Sequence, residues 1–239
     1  MGSEARYVAR WELDGVDGVV VAIDVIRAFT TAAYAIDAGA SSIFLVSGVD
    51  EAIELARSMP GALAMGEDHG RRPDAFAFSN SPVQISKARD RVAGRVLVQR
   101  TSAGTQGVVA ATHADRIFAA SLVCASATAS AVGAAGHGAP TYVITGRFAD
   151  RADRPGLDDV LTAELIERAR TGRPLEADAT AAAVLASEEA ARTLQLGDGH
   201  VDPDDIVFAT QIDRFDFAME VRRVDGLLQL VRVDPDGAG

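Results

Sequence analysis

Ile23-Asp24-Val25-Ile26-Arg27 sets a carboxylate at the end of an apolar run, with a guanidinium three residues later. A carboxylate so placed holds a hard cation such as Mg²⁺, or serves as nucleophile or base. The arginine suits a phosphate, which it grips through two parallel N–H bonds. The same pair also fits an ordinary cap on the following helix, and position alone leaves both readings open. Arg100-Thr101-Ser102-Ala103-Gly104-Thr105 follows a second apolar run and opens a helical stretch. Hydroxyls, a glycine and free N–H groups at a helix start favour an anion, and equally a plain N-cap. It is not a P-loop, because the lysine and the second-glycine spacing are missing. Gly66-Glu67-Asp68-His69-Gly70-Arg71-Arg72 offers a metal carboxylate in Glu67 and arginines for phosphate, or a solvated charged loop. Ser79-Asn80-Ser81-Pro82 reads as a turn entering a helix with proline at its first position.

The elements that must hold these residues follow from hydrophobic patterning. Val19–Ile23, Ile43–Val46, Leu63–Met65, Val96–Val98, Arg116–Ala119 and Tyr142–Ile144 are short apolar runs, as expected for buried strands. Helical stretches are expected at Phe29–Ala38, Val49 to before Pro60, Gly104–Ala111 and Cys124–Ala135. This alternation predicts an α/β fold, a mostly parallel sheet with helices on both faces. The charged stretch Asp150–Pro155 divides an α/β domain over residues 1–149, carrying the chemistry, from a smaller C-terminal α/β lobe over 150–239 that is either separate or integral. In that lobe helices are expected at Leu157–Arg170 and Ala177–Leu194, and β-like runs at Ile206–Ala209 and Leu227–Val233. Open α/β sheets bind ligands beyond the carboxyl ends of their strands. That rule selects Asp24 and Arg27, Gly66 and Glu67, Arg100 to Thr105, Ser121, and Thr145 to Arg147.

The 239 residues are 48% hydrophobic, 24% charged and 5% aromatic, a composition that argues against a disordered or fibrous chain. Net charge is −11, and Lys87 is the only lysine. A basic face for nucleic acid is therefore not expected, although a locally positive site on an acidic protein is allowed. No apolar run approaches the roughly 20 residues that span a bilayer. The N-terminus shows neither an apolar signal segment nor a myristoylation serine. The single Cys124 excludes an internal disulfide framework, so a cytoplasmic protein is expected, with a homodimer allowed.

Several residues carry weaker signals. An Asp at the end of the first strand resembles the haloacid-dehalogenase phosphatases, but their second Asp two residues on is Ile26 here. Cys124 at a helix start, with Asp24, resembles the isochorismatase-like cysteine hydrolases. Lys87 precedes a strand where that family's lysine follows one, so the triad is hard to complete, and a buried inert thiol is the alternative. His69, His113, His137 and His200 share no metal-ligand spacing. Asp158-Asp159 and the Asp202–Asp205 group read as helix N-terminal acids or a solvated loop.

Taken together, four segments resemble the 2-phosphosulfolactate phosphatase family. Ile23-Asp24-Val25-Ile26-Arg27-Ala28-Phe29-Thr30-Thr31 is similar to its Ile-Asp-Val-Leu-Arg-Ala-Thr-Thr. Gly66-Glu67-Asp68 through Phe76-Ala77-Phe78-Ser79-Asn80-Ser81-Pro82 resembles its Gly-Glu-Arg loop ending in Phe-x-x-Gly-Asn-Ser-Pro. Thr101-Ser102-Ala103-Gly104-Thr105 matches Thr-Thr-Asn-Gly-Thr, and Ala120-Ser121-Leu122-Val123-Cys124-Ala125 matches Gly-Ser-x-x-Asn-Ala. Order and spacing agree from about Val19 to Val132. The resemblance implies a Mg²⁺-dependent phosphatase acting on a small anionic phosphoester, 2-phosphosulfolactate, on the way to coenzyme M. It implies Asp24, Arg27 and Glu67 as catalytic residues, with Asp24 and Glu67 as metal ligands. Asn80, Ser81, Arg100, Thr101, Ser102, Gly104, Thr105 and Ser121 become the substrate-binding set. Asp68 stands where the family has arginine, Ala103 and Cys124 where it has asparagine, and Ser79 where it has glycine. Those departures allow a shifted substrate or a non-catalytic binding role.

Overall fold

A computed structural model of the chain describes residues 4–151 and 153–234. Its strands are β1 (Arg6–Val8), β2 (Val19–Ile23), β3 (Ser42–Val46), β4 (Leu63–Gly66), β5 (Phe78–Ser79), β6 (Val96–Arg100), β7 (Arg116–Ala120), β8 (Thr141–Ile144), β9 (Ala218–Val224) and β10 (Leu227–Val233). Helices are α1 (Ala28–Asp37), α2 (Val49–Ser58), α3 (Pro82–Lys87), α4 (Arg89–Val92), α5 (Gly104–Ala110), α6 (Ala125–Ala134), α7 (Leu157–Arg170), α8 (Ala177–Leu185), α9 (Glu188–Leu194) and α10 (Asp205–Ala209). All ten strands join one sheet in the order β1-β8-β2-β7-β9-β10-β3-β6-β4-β5. The fold is α/β and mostly parallel, as the patterning predicts.

Within β1-β8-β2-β7 every pairing is parallel, and so is every pairing within β3-β6-β4-β5. Between them β9 and β10 pair antiparallel with each other and with their outer neighbours, β7 and β3. The two parallel halves therefore run in opposite senses, and in a flat sheet the ends of β2 and β6 would lie on opposite edges. Instead Gly104, after β6, packs directly against Asp24, after β2. The sheet is strongly coiled, an extreme of the twist that L-residue strands impose. Residues 150–239, allowed as a separate lobe, thus supply the two central strands of this sheet.

The coil encloses α1, whose residues from Ala28 to Ala35 are all buried. Alternate residues of the strands, among them Val20, Ile43, Leu97, Met219 and Leu230, form one core with Phe29 of α1. Truncating such a fully buried phenylalanine costs about 3–5 kcal/mol. Outside the coil, α6 and α7 cover one half through Val21, Ile23, Val132 and Ile166, and α2 covers the other through Val98 and Ala52. Helices on both faces are what buried parallel strands require.

Three expectations change. Ile206–Ala209 is helical, with Ile206 and Ala209 buried and Val207 half exposed, a 3-residue spacing that so short an apolar run cannot distinguish from a strand. The long helix at Ala177–Leu194 is broken at Ser187, whose Oγ caps α9 by accepting the Ala190 N–H at 3.1 Å. Strand β9 is not apparent in the sequence because Glu220, Arg222 and Arg223 interrupt its apolar pattern. Among the described residues no helix is long and apolar enough to cross a membrane.

Candidate active site

A cavity of about 710 Å³ opens where the loops after β2, β4, β5 and β6 meet the start of α7. Of the residues selected from the sequence, Asp24, Arg27, Glu67, Asn80, Arg100 and Ser102 line it. Ser81, Thr101, Gly104, Thr105 and Ser121 are buried and do not line it.

Asp24 leaves the end of β2 and its Oδ1 accepts the Ala28 N–H at 2.9 Å, capping α1. The helix-cap reading is half right, since Arg27 pairs elsewhere: its Nη1 donates to Asp205 Oδ2 at 2.7 Å. Gly104 sits so close that a Cβ there would lie 2.8 Å from Asp24 Oδ2. Burial is the main force raising the Asp24 carboxyl to about 6, with the Glu67 charge adding to it and the Ala28 and Gly104 N–H groups and Arg27 opposing.

Glu67 is seated on the loop that precedes α5. Its Oε1 accepts the Ser102 N–H, and its Oε2 accepts from Ser102 Oγ at 3.1 Å and from the Gly70 N–H. The approach depends on Gly66, whose φ of +125° is open to glycine, and where a Cβ would lie 1.9 Å from the Arg100 carbonyl oxygen. Arg100 Nη1 donates to the Glu67 carbonyl at 2.8 Å and to Asp68 Oδ1 at 2.6 Å. Asp68, the acid where the resembled family has arginine, is therefore the counter-ion of a cavity arginine. Thr101 and Thr105 lock the loop from behind: each hydroxyl accepts the other residue's N–H, at 3.0 and 2.9 Å. Ser81 caps α3, its Oγ accepting the Gln84 N–H, which confirms the turn-then-helix reading with Pro82 at the first position. Beside it, Asn80 is buried and its Oδ1 has no partner among the described residues.

Three buried acids in or beside the cavity also escape the sequence reading. Asp158 and Asp159 do begin a helix, α7, yet both are buried and line the cavity. Asp159 accepts the Val25 N–H at 3.1 Å and the Gly146 N–H at 2.8 Å, tying the loops after β2 and β8 together. Burial, then Glu189 and Asp24, raises Asp158 to about 7. Burial, then the Asp158 and Asp24 charges, also raises Asp159. Asp205 is fully buried and serves Arg27, Ser81 Oγ at 2.6 Å and the Asp202 N–H at 2.9 Å. Paired acids at a helix start were the available signal for Asp158-Asp159; their burial comes from the coil.

Cys124 is fully buried and does not line the cavity, and burial raises its thiol. Lys87 pairs with Asp202 at 3.0 Å and lies outside that cavity too. The cysteine-hydrolase alternative is not favoured.

Among the described residues, no three His, Cys, Asp or Glu side chains are grouped as a ready metal cage. Mg²⁺ needs less, since it takes oxygen ligands, keeps several waters and uses one or two carboxylates plus substrate phosphate. Asp24, Glu67 and the unpartnered Asn80 Oδ1 give the cavity an all-oxygen donor set that suits such an ion.

The chain is similar to known proteins over most of its length. A protein from Bacillus subtilis named "Probable 2-phosphosulfolactate phosphatase" is 31% identical over 205 residues, 85% of this chain and 86% of the relative. Proteins of the same name from Thermus thermophilus and Carboxydothermus hydrogenoformans are each 36% identical. Their alignments run over 149 residues (62% of this chain) and 113 residues (47%). The chain thus spans 60% of the Thermus relative and about half, 46%, of the Carboxydothermus one. The family model described as 2-phosphosulpholactate phosphatase matches residues 7–223, and the chain belongs to that family.

Proposed function

We propose that this protein hydrolyses the phosphate monoester of a small acidic compound, with 2-phosphosulfolactate as substrate and sulfolactate and phosphate as products. The observation that carries the reading is the convergence of Asp24, Glu67, Asn80, Arg100 and Ser102, from separate segments of a phosphatase-family chain, on one cavity. Arg27 and Arg100, each steadied by a carboxylate, bind the phosphate oxygens that gain charge in the transition state. Asp24, whose carboxyl burial raises to about 6 in the metal-free protein, gives up its proton near neutral pH to receive a cation. Glu67, held by three donors from two loops, keeps the cavity wall in register with Ser102.

Mg²⁺ is part of this proposal, with Asp24 and Glu67 as its protein ligands. When bound it would offset phosphate charge, a Lewis-acid contribution of several kcal/mol. The crowding of Asp24, Asp158 and Asp159, all with raised carboxyls, supports a cation here, because like charges this close need a proton or a metal.

The test is phosphate release from racemic 2-phosphosulfolactate, phospholactate and phosphoglycolate, with Mg²⁺ and then with EDTA. Metal-dependent turnover that prefers the sulfonate is the expected result. Turnover of the other esters alone would move the substrate and keep the chemistry. Absence of release from all three, or full activity in Asp24→Asn, would overturn the reading.

A further inference from the structure

Six arginines line the cavity: Arg10, Arg27, Arg100, Arg151, Arg154 and Arg192. Four of them have a carboxylate partner. Arg27 pairs with Asp205, Arg100 with Asp68, Arg151 with Asp150 at 3.9 Å, and Arg192 with Glu188 and Glu189. Among the described residues Arg10 and Arg154 have none. Arg154 Nε is moreover buried and has no hydrogen-bond partner among those residues. An arginine never sheds its charge, and a buried guanidinium donor left unpaired is costly.

These two residues are also built into the cavity wall. Arg10 belongs to a 3₁₀ turn at Arg10–Glu12, and its Nη1 donates to the Ser102 carbonyl at 3.0 Å. Its guanidinium lies over the Phe148 ring, 5.2 Å from the centroid. Phe148 and Arg154 are on the same connection between β8 and α7, which folds back through the Phe148–Arg151 bridge and the Arg154 N–H donated to the Arg151 carbonyl at 3.0 Å. One arginine is thus fixed to the loop carrying Ser102, and the other to the loop on which the first one stacks. Neither lies in the segments that carry Asp24, Glu67, Asn80 or Ser102.

We propose that Arg10 and Arg154 form a second anion subsite that holds the carboxylate or sulfonate of the substrate while its phosphate reacts at Asp24. This inference rests on the phosphatase reading for the identity of the reacting group. It makes the two arginines specificity determinants: they select phosphoesters bearing a further acid group over those with an uncharged tail. Ionic hydrogen bonds are the strong ones, so their loss appears mainly in KM.

The experiment compares wild type, Arg10→Met and Arg154→Met, which keep the aliphatic stem and lose the charge. Each is assayed on 2-phosphosulfolactate, on phospholactate and on ethyl phosphate, which has no second acid group. Sulfolactate, with both acid groups and no phosphate, is titrated calorimetrically into each protein. We expect kcat/KM on the two acidic esters to fall at least tenfold in each variant, through KM, with less than a threefold change on ethyl phosphate. Sulfolactate binding should weaken at least tenfold, and Arg10→Lys and Arg154→Lys should recover part of it. Equal losses on all three esters, or sulfolactate bound alike by wild type and variants, would overturn the subsite. Absence of phosphate release together with the calorimetric loss would overturn the phosphatase reading and support the subsite. Circular dichroism melts identify any variant that fails to fold, and Arg10→Lys and Arg154→Lys then carry the comparison.

Discussion

Arg27 Nη1 donates to Asp205 Oδ2 at 2.7 Å; Asp205 is fully buried and the Arg27 side chain keeps only 2% exposure, at the cavity. The pair joins the start of α1, beside Asp24, to α10, 178 residues later. The other oxygen of Asp205 accepts from Ser81 Oγ at 2.6 Å, next to Asn80. Two walls of the cavity are therefore set by one carboxylate from the C-terminal part of the chain.

Removing one member of a buried ion pair strands the other, at a cost of about 3–5 kcal/mol. Asp205→Ala is expected to lower the melting temperature by roughly 10 °C, given about 2–4 °C per kcal/mol for a chain of this size. Asp205→Asn, which keeps an acceptor for Ser81 but not the charge facing Arg27, should fall between. Thermal unfolding followed by circular dichroism measures both. An Asp205→Ala protein that melts with wild type would show that Arg27 finds a substitute partner.

Gly104→Ala probes the contact on which the site is built. The new methyl would lie 2.8 Å from Asp24 Oδ2 and 3.1 Å from its Cβ, so Asp24 must move. Overpacking of this kind costs about 1–3 kcal/mol of stability. A displacement near 1 Å at a reacting group can cost ~100-fold in rate. We expect a folded protein whose kcat/KM falls by about two orders of magnitude. Wild-type activity in this variant would mean that Asp24 is not at the reacting centre.

The residues in short loops after apolar runs were legible in the sequence. Asp24, Glu67, Arg100 and Ser102 each follow such a run closely, and the structure brings them to one cavity. Asp205, Arg10 and Arg154 were not legible. Asp205 and Arg10 act through partners distant in sequence, Arg27 and Ser102, and Arg154 stands in a charged connection that reads as surface. Glu220 and Arg222 mask the alternation of β9: Glu220 is mostly buried only because Arg116 and Arg222 bind it from the neighbouring strand and its own. Charges neutralised by pairing look like surface in a sequence.

Cys124 separates two kinds of hydrolase cleanly. A buried thiol raised by burial is a poor nucleophile and a poor target for alkylation. Iodoacetamide is expected to leave phosphatase activity intact and to label Cys124 only in denaturant, as mass spectrometry would show. Cys124→Ala should cost about 1 kcal/mol through the small cavity left behind, and change kcat less than twofold. Rapid labelling of the native protein with loss of activity would restore the thiol to the mechanism.

Asp158 gives stability a pH dependence of definite sign. Its carboxyl titrates at about 7 in the fold, against 3.8 when unperturbed, because it is buried and faces the charges of Glu189 and Asp24. Between those two values the folded chain keeps a proton that the unfolded chain has released. Stability therefore falls as pH rises from about 4 to about 7, and the contribution of this group levels off above that. A tenfold change in proton affinity is worth about 1.4 kcal/mol, and with the effect divided among neighbouring carboxyls the full span is about 2–4 kcal/mol. The metal-free protein should lose roughly 5–10 °C in melting temperature between pH 5 and pH 8 from this source. Asp158→Asn should flatten that slope and melt higher than wild type at pH 8, where the wild-type carboxylate is charged. Calorimetric scans in EDTA across this range decide the matter, since parallel curves for the two proteins would mean that Asp158 ionises as it does in water.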